Sequence, residues 1–172
     1  MSVRHASQRR PWVSVATSVA GAGIVLGLLI VLLGDDRATW AIRRVFAVVT
    51  SVLLNALGNA TVVRDADILS SSFGISVVTA CTGLFVTGLF LAAVAAFPAS
   101  WRAKLAGAGI GLAALFAVNV IRLASLYYVG MYWRSALEPI HQLVWQSLVI
   151  AFAVSLWLLW AGRVSKPSRG AA

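Results

Sequence analysis

Residues 105–129 read LAGAGIGLAALFAVNVIRLASLYYV. The run holds one charge, Arg122, and one carboxamide, Asn119. At about 1.5 Å of rise per residue, a helix of this length crosses the roughly 30 Å hydrocarbon core of a bilayer. Three more stretches share its character. Residues 12–33 carry no charge over 22 positions. Residues 77–97 are uncharged up to Pro98, and residues 141–161 are apolar up to the basic end of the chain. The expectation is an all-α integral membrane protein, a single domain over residues 1–172 with about four transmembrane helices.

The rest of the composition agrees. Hydrophobic residues make up 60% of the chain and charged residues 11%, with mean hydropathy +0.91. Soluble domains carry about 25% charged residues. A net charge of +9 raises the question of nucleic acid. The basic residues, however, lie in short clusters beside apolar runs, the pattern of membrane topology and not of a phosphate-binding face. No nucleic-acid partner is expected; the partner is the lipid bilayer. Cys81 is the single cysteine, so no internal disulfide forms. With only His5 and His141 as histidines, no zinc spacing exists, and no cofactor or metal is expected. The first apolar run exceeds the about 7–15 residues of a signal-peptide core, so it reads as an uncleaved span.

Between the first two spans lie two less apolar segments. Over residues 41–58, Arg43, Arg44, Ala47, Thr50, Ser51, Asn55 and Gly58 recur at helical spacing. Ile42, Val45, Phe46, Val49, Leu53 and Leu57 form the opposite face. This pattern suits an interfacial amphipathic helix with its apolar side in lipid; a fifth span is the competing reading. Residues 59–72 form a short outer polar segment with Arg64, Asp65 and Asp67. The β-prone residues 61–63 and 74–78 suggest a small hairpin there.

Charge orients the chain. The two termini and the loop at 98–104 hold Arg4, Arg9, Arg10, Arg102, Lys104, Arg163, Lys166 and Arg169, and no acid. The other connections hold all the acids: Asp35, Asp36, Asp65, Asp67 and Glu138. Basic flanks stay cytoplasmic. Both termini and the 98–104 loop are therefore expected inside a multi-pass protein of the cell inner (plasma) membrane. A fifth span at 41–58 would reverse everything after it and put Arg102 and Lys104 outside, which favours the interfacial helix.

This orientation brings three reactive side chains to the outer face. Cys81 lies near the outer end of the second span. Arg122 follows Lys104 by eighteen residues, roughly 27 Å along a helix that starts inside. His141 opens the fourth span. Each has a plain structural reading: a small apolar filler, a snorkelling guanidinium, a helix cap. Together they form a chemical set. A thiol attacks carbonyl carbon as thiolate, which a helix N-terminus and a nearby arginine favour. Histidine takes the thiol proton and returns it to a leaving amine, and arginine stabilises the oxyanion of a tetrahedral intermediate.

At these residues the chain resembles the exosortase/archaeosortase family of membrane transpeptidases. The matching pieces are Ala80-Cys81-Thr82-Gly83-Leu84, Asn119-Val120-Ile121-Arg122, and His141. The segment His141-Gln142-Leu143-Val144-Trp145-Gln146 and the short length look most like the small exosortase H subgroup. Thr82 stands where the family often has Ser or Asn. The resemblance implies catalytic roles for Cys81, Arg122 and His141. It also implies membrane-anchored protein substrates with C-terminal sorting tails, cleaved at the extracytoplasmic face through an acyl-enzyme on Cys81. The alternative is a non-catalytic small membrane assembly or transport subunit in which Arg122 pairs with a carboxylate for structure.

The charge distribution predicts Ser71 and Arg134 outside and Lys104 and Arg169 inside. Single-cysteine labelling in a Cys81-free background measures this. Labelling of position 104 from outside intact cells would sink the four-span arrangement.

Overall fold

The computed structural model describes residues 11–165, with side chains from residue 16 on; Arg4, Arg9, Arg10, Lys166 and Arg169 lie outside the described residues. Helix α1 (Pro11–Gly34) is followed by α2 (Asp36–Ala56). Three short strands come next, β1 (Val62–Arg64), β2 (Asp67–Leu69) and β3 (Gly74–Ser76). A 3₁₀ turn (Thr79–Thr82) leads into α3 (Leu84–Ala96), and α4 (Trp101–Tyr132) forms the longest helix. The last column begins with a 3₁₀ turn (Arg134–Ala136) and one α-turn (Leu137–Pro139). It continues through a π-helical stretch (Ile140–Trp145) into α5 (Gln146–Val164). Three segments are long and apolar enough to cross a membrane: Ala16–Gly34, Trp101–Tyr132 and Arg134–Val164. Helix α3 is a shorter apolar helix beside them. The protein is an all-α membrane protein with a small sheet.

Close packing at glycines fixes the directions of the helices. Gly21 of α1 lies against Ala95 near the end of α3, and Leu29 of α1 lies over Gly88. These helices are therefore antiparallel. On α4, Gly111 receives the ring of Phe90 from α3, and Gly107 receives the indole of Trp160 from α5. Small residues let helices approach where no hydrophobic effect drives them together. The start of α1, the end of α3, the start of α4 and the end of α5 consequently share one end. At that end Ser100 caps α4 through Ala103 N–H, and Lys104 Nζ donates to the Ala95 carbonyl at 2.5 Å. Trp160 Nε1 donates to the Ala103 carbonyl at 3.2 Å. The acidic connections and the sheet lie at the opposite end.

The second span departs from expectation. Residues 77–97 were expected to be one helix, but α3 has only 13 residues. That is about 20 Å, short of a hydrocarbon core of about 30 Å. The cause is Gly83, at φ +65° and ψ +15°. This left-handed residue separates α3 from the 3₁₀ turn, and Val77 and Val78 before that turn are not helical. Cys81 thus sits in the turn before the helix and not in the helix itself.

The outer segment is richer than a hairpin. The sheet is antiparallel in the order β1-β2-β3, with Ile68 opposite both Val63 and Ile75. Ile68 is fully buried and packs with Phe46, Leu54, Val77, Leu123 and Tyr127. Tyr127 Oη bonds Ser70 Oγ at 2.8 Å, and Asn59 Nδ2 donates to Tyr128 Oη at 2.6 Å. Phe73 lies over Gly130. The sheet is thereby tied to the outer end of α4.

Helix α2 begins earlier than residue 41, because Asp35 caps it through Arg37 N–H at 2.8 Å and Ala38 N–H at 3.1 Å. Its faces are also used differently. Ala47, Thr50 and Ser51, read from sequence as part of a water-facing side, are buried against the protein. Ser51 Oγ meets Thr61 Oγ1 at 2.8 Å, and Asn55 bonds the Thr61 backbone. Phe46 also turns inward, its ring 4.7 Å from that of Phe116. Val45, Val48, Val49 and Val52 are left exposed. The expected apolar face is therefore divided: Ile42, Phe46 and Leu53 pack against the protein core, and Val45, Val49 and Leu57 stay exposed.

A Cβ at position 111 would lie 2.5 Å from Cζ of Phe90. Gly111→Ala should accordingly destabilise the α3–α4 contact by about 1–3 kcal/mol, the usual penalty of overpacking. Thermal unfolding in detergent measures this. An unchanged midpoint would mean that the two helices do not meet at this glycine.

Candidate active site

Four elements converge at the acidic end of the bundle: the 3₁₀ turn before α3, the outer third of α4, the π-helical stretch before α5, and the sheet. Cys81 is 4% exposed, and its N–H donates to the Val78 carbonyl at 2.9 Å, which closes the turn. His141 is the second residue of the π-helical stretch, which follows directly on Pro139. The imidazole Nε2 lies 3.2 Å from Cys81 Sγ. Two residues sixty positions apart in sequence thus form a thiol–imidazole pair. For Nε2 to accept the thiol proton, the neutral ring carries its own proton on Nδ1.

Arg122 lies on the face of α4 turned to this pair and is 2% exposed. It is within electrostatic reach of Cys81. One hydrogen bond is long: Nη2 donates to the His141 carbonyl at 3.5 Å. Nε is buried without a partner. Among the described residues no carboxylate pairs with it. A buried guanidinium that keeps donors unspent beside a thiol is equipped to receive an anion formed there.

The three side chains singled out from sequence are thus brought together. The thiol owes nothing to the first turn of a long helix, since Gly83 intervenes. Two other residues acquire a place that the sequence reading did not give them. Glu138 is close enough for its charge to be felt at both Cys81 and His141, but its carboxylate bonds Gln142 and not the imidazole. The arrangement is therefore a thiol–imidazole pair beside an arginine, and among the described residues no carboxylate bonds the histidine. The other residue is Gln146, which lines two adjoining cavities. The first is a groove of about 360 Å³ between α3 and α5, walled by Phe85, Leu89, Ala93, Ile150, Val154 and Trp157. The second, of about 240 Å³, lies beside the Cys81 turn at Thr79, Ala80 and Gly83. Phe85, Val86 and Gln146 belong to both, so the groove between the helices leads up to the turn that holds Cys81.

A family model described as Transmembrane exosortase matches residues 7–161 of the chain. No curated protein and no solved structure matches it.

The Cys81–His141 contact makes a prediction that needs no substrate. Because the thiolate is the reactive form, His141→Ala should slow alkylation of Cys81 by iodoacetamide several-fold at neutral pH. Alkylation of both proteins in detergent, followed by intact mass, provides the comparison. Equal rates would show that the imidazole does not take the thiol proton.

Proposed function

The chain belongs to the transmembrane exosortase family, a family of membrane transpeptidases in protein sorting, and on that premise we propose that Cys81 is its nucleophile. The substrates in this reading are exported proteins held in the membrane by a C-terminal sorting tail. The observation that carries it is the 3.2 Å approach of Cys81 Sγ to His141 Nε2 with the unspent donors of Arg122 alongside.

The steps balance with these residues alone. His141 Nε2 takes the proton of Cys81 as sulfur attacks the scissile carbonyl carbon. The carbonyl π electrons move onto oxygen, and Arg122 faces that oxyanion. Collapse of the intermediate breaks the C–N bond, and His141 returns the proton to the leaving amine, which departs with the tail. A thioester remains on Cys81. An incoming nucleophile, water or an acceptor amine, then attacks the thioester carbon and gives its proton to His141. Its collapse expels the sulfur, which recovers a proton from His141. A cysteine suits this cycle because it is nucleophilic with only modest help from a base, whereas serine needs much more.

The cavities support a substrate that arrives within the membrane. The groove between α3 and α5 is lined almost wholly by apolar side chains and joins the space beside Cys81. A spanning tail lying in it would bring the segment above its helix to the thiol. The charge distribution supports an orientation in this reading with this end of the bundle at the extracytoplasmic face and both termini cytoplasmic. Against the scaffold reading stands Arg122 itself: a structural arginine calls for a carboxylate, and none of the chain's described residues supplies one.

Cys81→Ala should abolish tail cleavage while leaving the amount of protein in the membrane unchanged, and Cys81→Ser should be very poor. With the wild type, mass spectrometry of a stalled reaction should find the acyl group on Cys81. Robust cleavage by Cys81→Ala would end the cysteine mechanism.

A further inference from the structure

One turn before Arg122, on the same face of α4, lies Asn119, 1% exposed. Its Nδ2 donates to the Leu115 carbonyl at 2.8 Å. Its Oδ1 is buried and has no partner. The carboxamide is pressed against Gly83, where a Cβ would meet Asn119 Nδ2 first and stand only 2.7 Å from Cγ and Oδ1. Gly83 is the left-handed hinge between the Cys81 turn and α3. Position 83 is therefore bound to glycine twice, by its positive φ and by the amide that occupies the space of a side chain.

We propose that Asn119 is a positioning residue for Cys81, acting through the Gly83 hinge. This rests on the reading of Cys81 as nucleophile. Packing alone does not account for the residue. Leaving a buried acceptor unpaired costs about 1–3 kcal/mol, and an apolar side chain of similar volume would fill the same space without that cost. Nor can the amide turn over to relieve it. A flip would set Oδ1 against the Leu115 oxygen and lose the bond from Nδ2. The carboxamide is thus held against the hinge in one orientation, with Nδ2 nearest Gly83. Since α4 also carries Arg122, the Asn119–Gly83 contact ties the nucleophile turn to the helix that bears the guanidinium. It fixes the angle at which the turn leaves α3, and with it the seat of Sγ over His141 Nε2.

The test is Asn119→Leu in the full-length enzyme, scored by thermal midpoint, steady-state cleavage, and the pH profile of Cys81 alkylation by iodoacetamide. A residue there only for packing predicts an equal or higher midpoint with normal kcat and an unmoved profile. The positioning role predicts an equal or higher midpoint, an unchanged KM and a displaced alkylation profile. With these goes a kcat lower by about 10–100-fold, the scale of a small misplacement in a reacting site. Asn119→Ala, which removes the strut without adding bulk, is scored in the same way should the leucine variant not fold. The alkylation arm needs no substrate, so it separates this inference from the nucleophile reading, which fails if Cys81→Ala still cleaves tails. An unmoved profile in a folded variant overturns the positioning role.

Discussion

A guanidinium is buried near the end of a membrane helix, and no carboxylate of the described chain neutralises it. The effective penalty for taking such a charge out of water is several kcal/mol even after the surroundings relax. Most of the outer half of the molecule can be read as the accommodation of that one group. Helix α4 runs unbroken for 32 residues, so Arg122 is carried on the most rigid element available. The sheet is bolted to the turns that follow by Tyr127, Tyr128 and Gly130, which keeps the arginine enclosed. The π-helical stretch offers it a main-chain carbonyl from His141. None of these contacts neutralises the charge. An ionisable group at membrane depth that stays uncompensated is a functional group by default.

The same requirement explains why the second column is broken. A continuous helix through residues 77–97 would have placed Cys81 on a helical face, its backbone spent in the ladder. Instead the chain descends from β3, makes one 3₁₀ turn, reverses hand at Gly83 and only then becomes helical. Irregular backbone at this depth is tolerated only when it is enclosed by protein. Cys81, Thr82 and Gly83 are buried accordingly, with α2 and α4 packed against the turn. Cys81 is thereby held in a turn that borders the space joined to the groove between α3 and α5, facing the element that carries the histidine.

Much of this was legible in the sequence, and the parts that were not have physical reasons. Apolar runs and charge clusters gave the helices and their alternation because bilayer thickness and charge bias constrain residue type directly. The convergence of Cys81, Arg122 and His141 followed from alternation alone. The break at Gly83 was hidden because its neighbours are apolar and equally at home in a helix; only the adjacent Thr79, Thr82 and Gly83 hinted at a turn. The middle strand Asp67–Leu69 was missed because three residues flanked by polar side chains give no alternation to count. The faces of α2 were assigned by polarity, whereas in this setting Ala47, Thr50 and Ser51 pack because they are small. Asn119 was visible as a motif residue, but its role depends on the hinge, which no local pattern reveals.

The π-helical stretch Ile140–Trp145 sets a rule about length. Each residue added to or removed from an α-helix turns everything beyond it by about 100°. Below the stretch, Val149, Ala153 and Trp160 must keep their face toward α3 and α4. At its start, His141 must meet Cys81. A π turn is equivalent to one residue inserted into an α-helix, so it supplies the phase offset that lets both faces be right at once. Substitutions at the five residues of the stretch other than His141 can be absorbed as long as the wide turn survives. Deletion of one residue would restore a regular helix and swing the imidazole to another side of the bundle. Descendants of this chain are thus free to vary in composition here but are held to a fixed spacing between the histidine and the helix that anchors it.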